Sequence, residues 1–192
     1  MTNEKNMSTA RKIKTPLTEE VITSLHAGDM ILLSGEVYTA RDAAHRRLYE
    51  ALSQGLPLPI DLKKSTIFYA APSPTPPGRV IGSIGPTTSY RMDAFTPLLM
   101  EHGLRAMIGK GSRSGEVAAA IQKYGGVYFG AIGGIAALTA RSVTRMQPVA
   151  YEDLGPEAIR CLTVVDLPLV VVNDSKGNDL YKNEQNKWRV LL

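Results

Sequence analysis

The chain has 192 residues, of which 44% are hydrophobic and 21% charged, and its net charge is +4. These fractions are typical of one soluble globular domain, and no apolar run approaches the ~20 residues that a membrane-spanning helix needs. Residues 1–14 hold four basic side chains against one acidic, and residues 173–192 hold four against three. The remaining body is therefore neutral, which argues against nucleic acid as a partner, because a phosphate backbone is bound by clustered basic side chains.

The two ends of the chain and its cysteine content set further expectations. The first 12 residues are polar and predict a disordered basic tail, with residues 13–192 forming a single domain. The N-terminus lacks the apolar core of a signal peptide, so we expect a cytoplasmic location. The single cysteine, Cys161, agrees with this, and it cannot by itself hold zinc or an iron–sulfur cluster. Any metal must come largely from elsewhere.

Helices and strands are predicted to alternate in the first third of the chain. Thr18 is predicted to cap a short helix that ends near Leu25, with two glutamates in its first turn. Apolar runs predict buried strands at residues 30–34 and 66–70. Between them, apolar positions at helical spacing predict a helix over residues 41–53.

The middle of the chain is interrupted by proline. Four prolines in the loop at residues 72–78 exclude a helix or a central strand there. The apolar residues that follow predict a strand over residues 80–84. From Thr88 to about Glu101 the apolar spacing predicts one helix, bent at Pro97.

The second half continues the alternation of strand, glycine-rich loop and helix. The predicted elements are strands at 106–109 and 127–131, helices at 117–123 and up to about 142, and β-rich runs at 159–165 and 169–172. Strands and helices that alternate in this way, with extra strands at the ends, predict an α/β fold with a mixed sheet flanked by helices.

Three polar clusters share one position, since each follows a predicted strand and lies at or before the start of a helix. Their sequences are YTARDAAH at 38–45, TTSYR at 87–91 and GKGSRS at 109–114. Ligands of α/β folds bind at the carboxyl ends of strands, so these three clusters could converge on one site if the strands are neighbours.

Convergence would create a site for a small polyanion. It would bring together Arg41, Arg91 and Lys110, and two arginines with a lysine suit a ligand that bears two carboxylates. Helix N-termini behind Thr87 and Ser112 would add backbone N–H groups directed at anions.

Each of these residues also has a purely structural interpretation. Arg41 and His45, one helical turn apart, suit a surface or capping role as well as a functional one. Lys110 could be a solvated lysine in a turn, which is the commoner case. Thr87 and Thr88 could simply cap a helix.

Four motifs, in order over about residues 15–181, carry a family resemblance. They are LSGEVYTARDAAHRRL, IGSIGPTTSYRMDAF, GKGSRS and YFGAIGGIAAL. Together they resemble the β subunit, or C-terminal domain, of the class I fumarate hydratase and tartrate dehydratase family of iron–sulfur hydro-lyases. The resemblance implies a swivelling β/β/α domain that closes over a [4Fe-4S] cluster held by a separate α subunit, in an αβ or higher hetero-oligomer.

The resemblance also implies roles for individual side chains. Thr87, the first threonine of GPTT, is implied to be the base that removes a carbon-bound proton, and His45 to be an active-site residue. The residues implied to bind the substrate carboxylates are Arg41, Thr88, Arg91 and Lys110. No residue of this chain is implied to be a metal ligand. A threonine can act as a base only where cations and N–H groups stabilise its alkoxide, so this role depends on the cationic cluster.

The activity implied is the reversible hydration of fumarate to (S)-malate by trans addition of water. GSRS and AIGGIAAL look like the fumarate branch of the family, and tartrate dehydration to oxaloacetate is the runner-up. An open iron of the partner's cluster would act as a Lewis acid, so neither subunit should work alone. Two other classes stay open, a non-catalytic module that binds dicarboxylates and a protein that serves only as an interaction partner.

Overall fold

The structure is a computed structural model that describes residues 10–189, in which seven strands form one mixed sheet. The strands are β1 (Arg11–Lys14), β2 (Met30–Thr39), β3 (Thr66–Phe68), β4 (Ala106–Gly109), β5 (Val127–Gly130), β6 (Val143–Ala150) and β7 (Ile159–Asn173). The helices are α1 (Glu19–Thr23), α2 (Asp42–Ser53), α3 (Thr96–Glu101), α4 (Gly115–Tyr124), α5 (Ala136–Arg141) and α6 (Leu180–Trp188), with 3-10 segments at Ser89–Met92 and Glu152–Glu157. The predicted mixed α/β architecture is confirmed.

The sheet closes on itself and gathers four strand ends at one place. Its order is β1-β2-β3-β4-β5-β7-β6, and β7 also pairs with β2, so β2, β3, β4, β5 and β7 form a ring. Strands β2 to β5 run parallel in that ring, whereas β7 runs antiparallel to both of its neighbours there. The carboxyl ends of the four parallel strands therefore lie at the same edge of the sheet. The loops that carry the three polar clusters begin at or near this edge.

Side chains alternate between the two faces of this ring, as the pleat of a strand requires. Phe68, Ile108 and Phe129 are buried in one apolar cluster. Their neighbours Ile67 and Met107 are buried in a second cluster, which also receives buried side chains from α2, α3 and α4. Burial on both faces explains why these strands are continuously apolar in sequence.

Two strand predictions differ from the structure in extent. The strand predicted at 30–34 continues to Thr39, and the two runs predicted at 159–165 and 169–172 form the single strand β7. Residues 166–168, which were predicted to separate two strands, lie within β7. Asp166 takes a positive φ of 47° there, and Pro168 still pairs with Leu32 of β2. Strands β1 and β6 were not predicted, and Arg11 and Lys12 of the expected tail belong to β1. Residues 1–9 lie outside the described residues, and the single-domain assignment stays a prediction.

The strand predicted at residues 80–84 is wrong, because this segment forms a loop. Its isoleucines, Ile81 and Ile84, are buried in the core, so the apolar pattern reflects packing rather than strand pairing. Gly82 lies directly against the proline-rich loop, where a Cβ would overlap the carbonyl oxygen of Ser73.

The helix predicted from Thr88 to Glu101 is divided in the structure. The 3-10 segment Ser89–Met92 comes first, and α3 begins only at Thr96. Pro97 lies in the first turn of α3, where its missing N–H costs nothing, so it starts a helix instead of bending one. No helix within residues 10–189 has both the length and the apolar character to cross a bilayer.

Gly109, the last residue of β4, allows the segment that follows Gly85 and Pro86 to lie close to the sheet. A Cβ at this position would overlap the hydroxyl of Ser89 and would lie 2.9 Å from Cδ2 of Tyr69. Both of these neighbours are buried, so neither can move aside freely. A side chain at Gly109 would therefore push the polar segment at 87–91 away from β4.

Replacing Gly109 by alanine should destabilise the protein by about 1–3 kcal/mol, the usual cost of overpacking a core. Gly115→Ala is the matched control, because nothing lies within 4 Å of a Cβ there and its φ is ordinary. The control should be neutral or stabilising by about 0.4–1 kcal/mol, since alanine restricts the unfolded chain. Denaturant unfolding measures both variants, and equal effects would show that Gly109 is not a crowded position.

Candidate active site at the carboxyl ends of the parallel strands

The backbone brings the Thr87–Thr88 pair directly beside Lys110. The N–H of Thr87 donates to the carbonyl of Tyr69 at 2.6 Å, and the N–H of Lys110 donates to the carbonyl of Thr87 at 3.3 Å. The N–H of Ser89 in turn donates to the carbonyl of Lys110 at 2.9 Å, so Thr88 and Lys110 form a parallel bridge. Two of the three predicted clusters are thus neighbours.

The helix-capping interpretation of the threonines does not describe Thr88. It precedes the 3-10 segment, but its side chain makes no capping hydrogen bond. Both Thr87 and Thr88 are half-buried. The helix predicted at 117–123 begins two residues earlier, at Gly115. Ser114 caps it with its hydroxyl, which accepts from the N–H of Val117 at 3.2 Å.

Asp42 connects the third cluster to the second. Nε of Arg91 donates to Oδ1 of Asp42 at 2.8 Å, and Nη2 of Arg41 lies 3.7 Å from Oδ2 of the same carboxylate. Nη2 of Arg41 also lies 3.4 Å from Oε1 of Glu157. The two arginines that were predicted to meet therefore share one carboxylate, and the exposed fractions of their side chains are 24% for Arg41 and 42% for Arg91.

Sequence reasoning missed the two carboxylates of this cluster. Asp42 begins α2, and Oε2 of Glu157 accepts from the N–H of Ala43 at 2.9 Å, so both lie where the helix dipole favours negative charge. The aspartate directly after Arg41, at a predicted helix start, was a usable signal. No sequence pattern predicted that Glu157 belongs to this cluster, because it is distant in sequence and contacts Arg41 only in the folded chain.

Lys110 directly follows Gly109, the last residue of β4, in the loop that leads to α4. Its side chain is half-buried and runs along the loop that follows β5, where a Cβ on Gly133 would lie 3.6 Å from Cδ and 3.9 Å from Nζ. Gly109, Gly111 and Gly133 add no side chains to the surroundings of Lys110. A cation in such a place can meet a small anion closely.

His45 lies beneath Arg41 and is completely buried. Its Nδ1 is 3.0 Å from the carbonyl of Arg41, and because a carbonyl only accepts, Nδ1 carries the proton. The ring packs edge-on against Tyr69 at 5.1 Å and near Phe95 at 6.4 Å, and Nε2 is buried without a partner among residues 10–189. Burial lowers the pKa of His45 to about 4, so the ring is neutral at pH 7.

The described residues do not offer a ligand set for the iron–sulfur cluster that the resemblance implies. Within residues 10–189, no three side chains of His, Cys, Asp or Glu are grouped so that they could hold a metal ion. Cys161 is buried and alone, and burial raises the pKa of its thiol, which disfavours the thiolate that binds iron.

Acid should destabilise the protein through His45. The unfolded ring has a pKa near 6.5 and the folded ring about 4, so the unfolded state binds more protons in this window and stability falls as the pH is lowered through it. This one residue should account for about 2 kcal/mol of lost stability between pH 7 and pH 5. We expect His45→Gln to remove that share, measured by denaturant unfolding at the two pH values. The exposed His102 provides the control, and His102→Gln should leave the pH dependence unchanged.

The chain matches a known protein family and is similar to members of it by sequence. The model of the family described as "Fumarase C-terminus" matches residues 1–184. The chain is 40% identical over 173 residues to fumarate hydratase 2 of Leishmania major, covering 88% of this chain and 30% of that protein. It is 44% identical over 157 residues to the anaerobic class I fumarate hydratase of Escherichia coli K12, covering 81% of this chain and 29% of that protein. The chain thus spans less than a third of the length of these relatives.

A relative of similar length carries a different name. The chain is 40% identical over 177 residues to the putative L(+)-tartrate dehydratase subunit beta of Methanocaldococcus jannaschii, and the match covers 89% of this chain and 91% of that protein. The match to the family model and these identities confirm the predicted family. The chain belongs to the Fumarase C-terminus family, whose members include parts of class I fumarate hydratases and a tartrate dehydratase β subunit.

Proposed function

We propose that this chain is the β subunit of a [4Fe-4S]-dependent hydro-lyase that reversibly hydrates fumarate to (S)-malate. Two contacts at one sheet edge support the proposal: the backbone bridge of Thr88 with Lys110, and the carboxylate of Asp42 that Arg41 and Arg91 share. Cations near the hydroxyl of Thr87 would suit a small dianion that must lose or gain a proton on carbon.

The cations suit the two carboxylates of such a substrate. Asp42 occupies Nε of Arg91, so a carboxylate would be bound by the two terminal nitrogens of that guanidinium, a geometry that allows paired hydrogen bonds. Lys110 and Thr88 are paired across the parallel bridge, and their ammonium and hydroxyl groups would receive the second carboxylate. Arg41 would add charge from the side of α2.

Thr87 would act as the base on carbon. Its hydroxyl is an ordinary, very weak acid, and positive charge from Arg91 and Lys110 would stabilise the alkoxide that the reaction requires. In the direction from malate to fumarate, the oxygen of Thr87 would take the proton from the carbon that becomes part of the double bond. The loss of hydroxide from the neighbouring carbon is assigned to groups outside this chain.

A partner chain is part of the proposal. The described residues offer no ligands for an iron–sulfur cluster, the fumarate hydratases that match are more than three times as long as the aligned part, and the relative of equal length is named a β subunit. Three large apolar side chains on or near the site loops are exposed, Tyr90 by 66%, Ile132 by 56% and Leu138 by 53%. We propose that the cluster-bearing chain covers this surface and that the domain closes onto it, as a swivelling domain would.

A second candidate is the dehydration of tartrate to oxaloacetate. The relative named for tartrate is 40% identical, the same identity as fumarate hydratase 2 of Leishmania major, and the match covers 91% of that relative. Both substrates carry two carboxylates, so the same cations would serve both. The choice between them rests on measured rates.

The test is an anaerobic assay of the chain assembled with its cluster-bearing partner. Thr87→Val keeps the shape of the side chain and removes the hydroxyl, and it should lower kcat for fumarate hydration about 1,000-fold or more, because the lost group acts only in the transition state. Thr144→Val is the matched control, since the hydroxyl of Thr144 is exposed on β6 and donates only to the carbonyl of Thr163. The control should retain full activity.

Three outcomes would contradict the proposal in different ways. A fully active Thr87→Val enzyme would remove the role of Thr87 as a base. Turnover of tartrate well above that of fumarate would favour the second candidate. Tight binding of malate by the free chain, with no activity after assembly with the partner, would identify a dicarboxylate-binding module without chemistry.

A further inference from the structure

Arg113, the arginine of GKGSRS, lies buried beneath the candidate site, and its side chain is fully shielded from solvent. Nε donates to Oδ1 of Asp93 at 2.7 Å, and Nη2 donates to the hydroxyl of Thr96 at 2.8 Å. Nη1 lies 3.3 Å from the hydroxyl of Tyr69. A charge removed from water is costly unless it is paired and hydrogen-bonded, and Arg113 meets that condition on every side.

Two tyrosine rings enclose the guanidinium of Arg113. Its Cζ lies 5.2 Å from the ring centre of Tyr69 and 5.0 Å from that of Tyr128, both within the range of a cation–π contact. The hydroxyl of Tyr128 donates to the carbonyl of Gly111 at 2.9 Å and lies 2.8 Å from the hydroxyl of Ser89. Through this ring the arginine also touches the segments on both sides of the bridge.

The hydrogen bonds of Arg113 to Asp93 and Thr96 join the same two stretches of chain. Asp93 follows the 3-10 segment that contains Arg91, and Oδ2 of Asp93 accepts from the N–H of Ser114 at 2.7 Å. Arg113 and Ser114 in turn follow the loop that contains Lys110. The buried network therefore fixes the spacing between the 87–96 segment and the 109–114 segment, which the surface bridge of Thr88 with Lys110 alone would hold less firmly.

We propose that Arg113 is a positioning residue for the hydration reaction, which sets Thr87 and Arg91 at the correct distance from Lys110. The inference rests on the proposed function. The alternative is that Arg113 and Asp93 form an ion pair that contributes stability only. If the pair only contributes stability, kcat should recover together with stability when Arg113 and Asp93 are both replaced. If Arg113 positions the reacting groups, kcat should stay low although stability recovers.

The test compares Arg113→Met with the double variant Arg113→Met/Asp93→Asn in the assembled enzyme. The single variant leaves the carboxylate of Asp93 buried without its partner, whereas the double variant removes both charges and should recover much of the lost stability. A positioning role predicts that kcat of the double variant stays about 100-fold below wild type, since small misplacements of reacting groups have effects of this size. KM should change less than kcat, because Asp42 still holds Arg91 and Arg41.

Arg105→Met is the matched control. Arg105 donates to the backbone carbonyls of Met100 and Leu104, and its Cζ, like that of Arg113, lies over a tyrosine ring, that of Tyr124 at 5.8 Å. It precedes β4, at the end of the strand opposite to Lys110. Its loss should lower stability while kcat and KM stay at wild-type values.

Amide hydrogen exchange on the full free chain separates a failure of this inference from a failure of the proposed function. The amides of residues 87–92 and 109–111 should exchange at least about tenfold faster in the double variant than in Arg105→Met, because local opening becomes easier. If the wild-type assembly hydrates no dicarboxylate, the proposed function fails and this exchange result still tests the coupling of the two segments. Recovery of kcat together with stability in the double variant, or unchanged exchange in both segments, would overturn the positioning role.

Discussion

The candidate site depends on one backbone interaction, the parallel pairing of Thr88 with Lys110 at the end of β4. This bridge places the segment that contains Thr87 and Thr88 beside the loop that contains Lys110, although neither forms a regular strand there. It is possible because Gly109 has no side chain to hold the two segments apart. The buried guanidinium of Arg113 then secures the same two segments from below. The geometry of the site therefore depends on the packing of the core beneath it.

Two carboxylates offset the charges of the two arginines of the site before any ligand enters. Arg41 and Arg91 share the carboxylate of Asp42, and Arg41 also lies near Glu157. Such pairs at half-exposed positions contribute little stability, so their main effect is to fix the direction of the guanidinium groups. A dianion that enters meets arginines already held in place, which lowers the entropy cost of binding it. Lys110, whose backbone is paired with Thr88, would provide the third positive charge for the dianion.

Much of the site could be predicted from sequence because its parts obey local rules. Strand ends in an α/β pattern and polar residues directly after them predicted that the three clusters could converge. The structure pairs Thr88 with Lys110 and joins Arg41 to Arg91 through Asp42. The predictions that were wrong concern segments whose structure depends on contacts between residues distant in sequence. The helix expected after Thr88 is interrupted near Asp93, whose carboxylate binds Arg113 and Ser114. Apolar spacing cannot reveal such a contact, nor could it show that the strand expected at 80–84 packs its isoleucines as a loop.

The most direct measurement is a crystal structure of the assembled protein with a bound dicarboxylate. We expect one ligand at the edge of the sheet, with one carboxylate on the terminal nitrogens of Arg91 and the other within hydrogen-bond distance of Lys110. We also expect that the hydroxyl of Thr87 faces a carbon atom of the ligand. A ligand bound elsewhere, or one that contacts these cations with Thr87 turned away from its carbon atoms, would contradict it.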